Sequence, residues 1–133
     1  MTKEEKLIEL FSKAPMKKTF NMELSYKNNE AHFHMKFDKK FDHTMAGTHG
    51  GVVATILDNV AWFAAARHYD TWIATSNINV NYLKQSANSD LFALGKTVKT
   101  GKSIAYTYME VKDDSGDLIA YASGSFSVSK NPI

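Results

Sequence analysis

Thr48-His49-Gly50-Gly51-Val52-Val53-Ala54-Thr55-Ile56-Leu57-Asp58-Asn59-Val60-Ala61-Trp62-Phe63-Ala64-Ala65-Ala66 is the stretch from which the fold is read. Between Val52 and Ala66 only Thr55, Asp58 and Asn59 are strongly polar. A helix apolar nearly all round belongs in a protein interior. A carboxylate there is costly unless the site uses or pairs it. At helical spacing Gly51, Thr55, Asp58 and Trp62 fall on one stripe. The glycine pair and His49 stand where the helix begins. Free N–H groups and the positive end of the dipole are available there to a developing oxyanion. The pattern reads as a reaction site. The plainer alternative is a glycine pair that lets a helix start close to a sheet, with an Asp satisfied by a neighbour.

Working outward, Lys3 to Ser12 places Leu7, Ile8, Leu10 and Phe11 among charges, a short amphipathic helix that ends before Pro15. Two alternating runs follow. Phe20, Met22, Leu24 and Tyr26 share one face, and Ala31, Phe33, Met35 and Phe37 another. Lys27-Asn28-Asn29-Glu30 between them is a tight hairpin turn, because Asn tolerates positive φ. Residues 38–48 form a loop rich in charge, His and Gly. After the buried helix, 72–83 alternates Ile78, Val80 and Tyr82 with asparagines. In 91–99, Phe92, Leu94 and Val98 are the expected apolar face. Residues 104–112 form a Tyr- and Val-rich strand. In 118–128, Ala120, Ala122, Gly124 and Phe126 oppose Ile119, Tyr121, Ser123 and Ser125. Asp113 to Asp117 turns the last hairpin. The pattern of a helix, two strands, one long buried helix and four strands predicts an α+β fold with one helix against an antiparallel sheet. One helix cannot cover a wide sheet, so self-association is expected.

The 133 residues suit one domain, with an N-terminal helix within 1–15 and a core over 20–128. A hydrophobic fraction of 44% excludes a disordered chain. A net charge of +2, without a long basic run, gives no support to nucleic-acid binding. With no cysteine there is no disulfide framework or thiol nucleophile. The charged start Met1-Thr2-Lys3-Glu4-Glu5 lacks a signal-peptide pattern, and 52–66 is too short and polar to span a membrane. A cytoplasmic location is therefore expected. His32 and His34, with His43 and His49, lack zinc-ligand spacing, so no metal is expected.

Gly47-Thr48-His49-Gly50-Gly51-Val52-Val53-Ala54-Thr55-Ile56-Leu57-Asp58 resembles the signature of hotdog-fold acyl-CoA thioesterases, in particular the phenylacetate-pathway (PaaI-like) group. Asn79-Val80-Asn81-Tyr82-Leu83, Lys99-Thr100-Gly101-Lys102-Ser103 and Gly116-Asp117-Leu118-Ile119-Ala120-Tyr121-Ala122 resemble later pieces of that family in order, so the resemblance covers roughly residues 20–128. It implies a hotdog fold, a long central helix wrapped by a six-stranded antiparallel sheet, with two subunits meeting at each active site. By the same resemblance Asp58 is nucleophile or general base, and the Gly50 N–H polarises the thioester carbonyl. Thr75 comes from the other subunit. His43 occupies the position where the family usually has Asn or Gln.

The expected activity is hydrolysis of an acyl-CoA thioester by a homo-oligomer, dimer or tetramer, with no cofactor beyond the coenzyme A of the substrate. Asp58, Gly50, His43, Thr75 and His49 are the candidate catalytic residues. Gly51, Thr55, Trp62, Tyr82, Lys84, Gly101, Lys102 and Ser103 are the candidates for binding substrate, the lysines through phosphate. Trp62, Met45, Phe63 and Phe41 are candidates for shaping an acyl pocket. Two competing readings are a hotdog hydratase acting on an enoyl or hydroxyacyl thioester, suggested faintly by Phe41-Asp42-His43, and a non-catalytic acyl-thioester binding module. Thiol release and enoyl absorbance separate the three.

Overall fold

The structure, a computed structural model, describes residues 1–133. Helix α1 (Lys3–Ser12) begins with a reciprocal cap, the Thr2 hydroxyl accepting from Glu5 N–H and the Glu5 carboxylate from Thr2 N–H. It buries Leu7 and Phe11. A second helix, α2 (Pro15–Thr19), follows where only a stop was expected. Proline ends one helix, but it also suits the first position of the next, where its missing N–H costs nothing.

Strands β1 (Met22–Lys27) and β2 (Glu30–Met35) form the expected hairpin. Asn28 and Asn29 sit at φ 53° and 63°, the two left-handed positions of a two-residue turn. The long helix α3 (Gly50–Ala66) follows, then β3 (Thr71–Tyr82), β4 (Leu91–Thr100), β5 (Ile104–Asp113) and β6 (Leu118–Pro132). The six strands form one antiparallel sheet in the order β1-β2-β4-β5-β6-β3. The sheet wraps α3, which buries Val53, Ile56, Leu57, Val60, Ala61 and Phe63 against it. The fold is the expected α+β hotdog arrangement with a short N-terminal helix.

One strand face is the reverse of the sequence expectation. In β4 the buried residues are Leu91 and Ala93, with Gly95 in line, whereas Phe92 and Val98 are 43% and 67% exposed. The reason is the closeness of α3. A Cβ on Gly95 would lie 2.6 Å from the Val60 carbonyl oxygen, so small residues face the helix and large ones point away.

Strand β3 is an edge of the sheet. Its sequence TWIATSNINVNY contains no charged residue and no proline, and most of it is exposed. Edge strands that remain single are usually short, charged or bulged, and β3, though uncharged and 12 residues long, is irregular in register against β6 at Thr71/Ile73 and Thr75/Asn77. No helix is long and apolar enough to cross a membrane.

Candidate active site

The candidate catalytic residues fall into two clusters, and α3 holds one at its start and one in its middle. At the start His49 is the N-cap. Its Nδ1 accepts from Gly51 N–H at 2.8 Å, so the imidazole braces the helix start and carries its proton on Nε2. The His49 carbonyl accepts from Val52 and Val53. Gly50 N–H has no partner within the chain. The Gly50 carbonyl accepts from Tyr82 Oη at 2.7 Å, and a Cβ on Gly50 would stand 3.4 Å from the Tyr82 ring. Tyr82 therefore fixes the peptide that follows the free N–H. This end opens on a cavity of about 500 Å³ lined by His43, Gly50, Gly51, Tyr82, Lys84 and Gln85, among others.

The second cluster centres on Asp58, half-buried on α3. Its Oδ1 accepts from Thr75 Oγ1 at 2.8 Å. Both residues belong to one chain, which corrects the expectation that Thr75 reaches Asp58 from the other subunit. The strand that follows the helix runs back beside it and brings the hydroxyl to the carboxylate. Thr55 is turned inward, its hydroxyl donating to Gly51 O at 2.8 Å, and Asn59 donates to Thr55 O at 2.8 Å. The Thr55 hydroxyl is therefore not a free donor on the stripe. Trp62, one turn beyond Asp58, donates from Nε1 to Ile73 O at 2.7 Å. With Phe63, Trp72, Leu10, Phe11 and Met16 it lines an apolar cleft of about 390 Å³ under α1 and α2. Phe41 is not there but buried in the core, stacked on Phe20, and Met45 is 84% exposed on its loop.

The two clusters are too far apart to act on one bond within a chain. Eight residues of α-helix rise about 12 Å. Helix N–H groups point along the axis toward the N-terminus, so an oxygen bound at Gly50 sits a further ~3 Å from Asp58. An aspartate side chain cannot span that gap.

The expected phosphate contacts also divide. The Lys84 ammonium is held by Asp117 and, at 3.4 Å, by Asp113. The hydrogen bond that Lys84 donates to the Asp117 carboxylate pushes the Lys84 pKa above its ordinary value, despite partial desolvation. For Asp113 burial acts upward, but hydrogen bonds from Asp117 N–H, Lys84 and Ser115 N–H leave the carboxyl below its usual range. Lys84 thus closes the β5–β6 hairpin against the end of β3. Gly101, Lys102 and Ser103 form the β4–β5 turn beside the C-terminal end of α3, where Tyr69 Oη donates to Gly101 O at 2.7 Å. Lys102 makes no ion pair. No group of three His, Asp or Glu side chains is arranged to hold a metal.

Residues 46–120 match the thioesterase superfamily, and the chain belongs to that family. Among solved structures it is similar to a thioesterase family protein from Silicibacter pomeroyi, with a TM-score of 0.88, 18% identity and coverage of 96% of this chain and 99% of that one. The Escherichia coli PaaI protein of the phenylacetic acid degradation operon aligns at a TM-score of 0.86 and 15% identity, covering 94% and 91%. A thioesterase from Haemophilus influenzae aligns at 0.85 and 18%, covering 95% and 90%. At these identities the likeness is one of fold, and it agrees with the PaaI-like resemblance. No curated protein sequence matches the chain.

Proposed function

We propose that this chain hydrolyses an acyl-CoA thioester at a site completed by a second copy of itself. The observation that carries the reading is the division of one reaction's parts along α3. An unspent Gly50 N–H stands at its start, and a Thr75-bound Asp58 stands about 12 Å along it. An antiparallel neighbour would bring the Gly50 end of one helix to the Asp58 region of the other. The uncharged β3 edge, which carries Thr75, supports pairing with a partner's β3.

In this reading the thioester carbonyl oxygen accepts from Gly50 N–H of one chain, at the positive end of the helix dipole. Asp58 of the other chain takes a proton from water or attacks the carbonyl carbon directly. Thr75 Oγ1 holds the carboxylate in one rotamer, leaving the second oxygen free. The tetrahedral intermediate expels the coenzyme A thiolate. With Asp58 as base, the acid is released directly. With Asp58 as nucleophile, water then cleaves the mixed anhydride. The cleft of Trp62, Trp72 and Phe63 begins one helical turn beyond Asp58 and supports an apolar acyl group. Lys102, the lysine without a carboxylate partner among the candidates Lys84 and Lys102, is assigned to coenzyme A phosphate.

A thiol-release screen over aromatic, short, medium and long acyl-CoA esters tests the proposal. Turnover on at least one ester, abolished in Asp58→Asn, is expected. Binding of acyl-CoA without thiol release by the wild-type protein would replace hydrolysis with a binding role.

A further inference from the structure

The loop before α3 presents His43 in one fixed state. Met45 N–H donates to His43 Nδ1 at 3.0 Å, and His43 N–H donates to Gly47 O at 2.8 Å. Ala46 takes φ 62°, a left-handed conformation costly for a residue with a side chain, and closes this turn. Because Nδ1 accepts, the neutral ring carries its proton on Nε2. That Nε2 meets the side-chain amide of Gln85, 42 residues away in sequence. The atoms in contact are the two Nε2 nitrogens, and two N–H donors cannot bond each other, so a half-turn of the amide is assigned, which sets the carboxamide oxygen on His43 Nε2 and turns the amide N–H groups away from it.

Three further observations indicate a built contact. A Cβ on Gly47 would overlap the Gln85 carboxamide and stand 3.0 Å from His43 Nε2, so glycine keeps this space open. The Gln85 segment is anchored on both sides, by Leu83 N–H to Ile119 O at 2.8 Å and by Thr48 N–H to Ser86 O at 2.8 Å. Gln85 also shares its cavity with Gly50 and Tyr82. In that cavity the Tyr82 hydroxyl is spent on Gly50 O and the Lys84 ammonium on Asp113 and Asp117. With the amide so turned, its two protons have no partner within the chain.

We propose that Gln85 is a catalytic residue of this site, its amide N–H donating to the reacting group held at Gly50, and that His43 is the positioning residue that aims it. The carboxamide absent from position 43 is thereby supplied from the end of β3. The inference rests on the thioesterase reading and deepens it.

The test is a double-mutant cycle with a spectroscopic readout. Gln85→Ala should lower kcat at least about tenfold with little change in KM, the scale of one lost hydrogen bond in a reacting site. Its melting temperature should hold, because the side chain is exposed. In a His43→Asn background, where an amide already stands at position 43, the same Gln85→Ala change should cost less than about twofold. Gln85→Glu, which can accept from His43 but cannot donate, should be as slow as Gln85→Ala. ¹⁵N NMR of the His43 ring should report Nε2–H in the wild type and a shifted Nε2 resonance in Gln85→Ala. An active wild type with an unchanged Gln85→Ala rate overturns the inference alone. So does an equal loss in both backgrounds, which assigns Gln85 a contribution independent of His43. A wild type inactive on every thioester, with the ring resonances as expected, overturns the hydrolase reading, and the catalytic role of Gln85 falls with it.

Discussion

The division of the site between two chains can be tested by giving each chain of a heterodimer one defect. Gly50→Pro removes the proposed oxyanion donor and little else. Position 50 is the first residue of α3, where proline is well tolerated. His49, at φ −60° and ψ 135°, already has the extended backbone that a following proline requires. The added Cβ meets Tyr82 at 3.4 Å, an ordinary contact. Loss of one such donor should cost roughly 10²–10³-fold in kcat. Asp58→Asn removes the base or nucleophile and should cost at least about 10². Chains bearing one change each, co-expressed with different tags and purified through both, carry one intact trans site per dimer. Thiol release should then recover to about half the wild-type rate. A wild-type chain paired with the Gly50→Pro/Asp58→Asn double variant should be nearly inactive, because each trans site contains one defect. Sites lying within single chains would give the reverse, a dead first heterodimer and a half-active second. That reversal would refute the composite site and the distance argument behind it.

Asp58→Asn alone should lose at least about 10²-fold in kcat while its melting temperature holds or rises, because an amide still accepts from Thr75 and is less costly to bury. Calorimetry alongside thiol release checks both halves. Lys102→Ala should raise KM for coenzyme A esters, less so at high salt, and leave short thioesters without the nucleotide unaffected. Lys84→Ala should instead lower the urea midpoint, since its ammonium is committed to Asp113 and Asp117. Asp90 accepts from Phe37 N–H and pairs with His34, both at 2.8 Å, and these contacts hold its carboxyl below the ordinary 3.8. A depressed carboxylate stabilises the fold above its unfolded value and ceases to do so as pH falls through the folded one. The stability gap between wild type and Asp90→Asn should be flat above 3.8 and close in more acid urea titrations.

Long-range consequences were the hardest part to read from the chain. The apolar run after His49 declares α3 because no surface helix tolerates it, and Asn28-Asn29 declares its turn through local φ. Asp58 and Gly50 are candidates for the same local reasons. The alternation of Phe92, Leu94 and Val98 in β4 does not tell which face lies inward. Its inner face is set by helix depth, and Gly95 among Leu91 and Ala93 was the available signal. The commitment of Lys84 to Asp113 and Asp117 and the meeting of Gln85 with His43 join segments remote in sequence. No spacing within either segment announces them. That Thr75 bonds Asp58 of its own chain follows only from the position of β3 beside α3.

The missing methyl at Gly95 acts as a gauge block. The Val60 carbonyl, two residues past Asp58, rests on that strand with no room for another carbon. Substituting alanine there would shim the whole rod outward and carry the carboxylate with it, out of line with the Gly50 end that the proposed site takes from a second copy. A sequence change on the far side of the helix, touching neither substrate nor any reacting group, would then register as a loss of turnover. In a mutational survey position 95 would group with the proposed site residues, because it sets how closely helix and sheet approach.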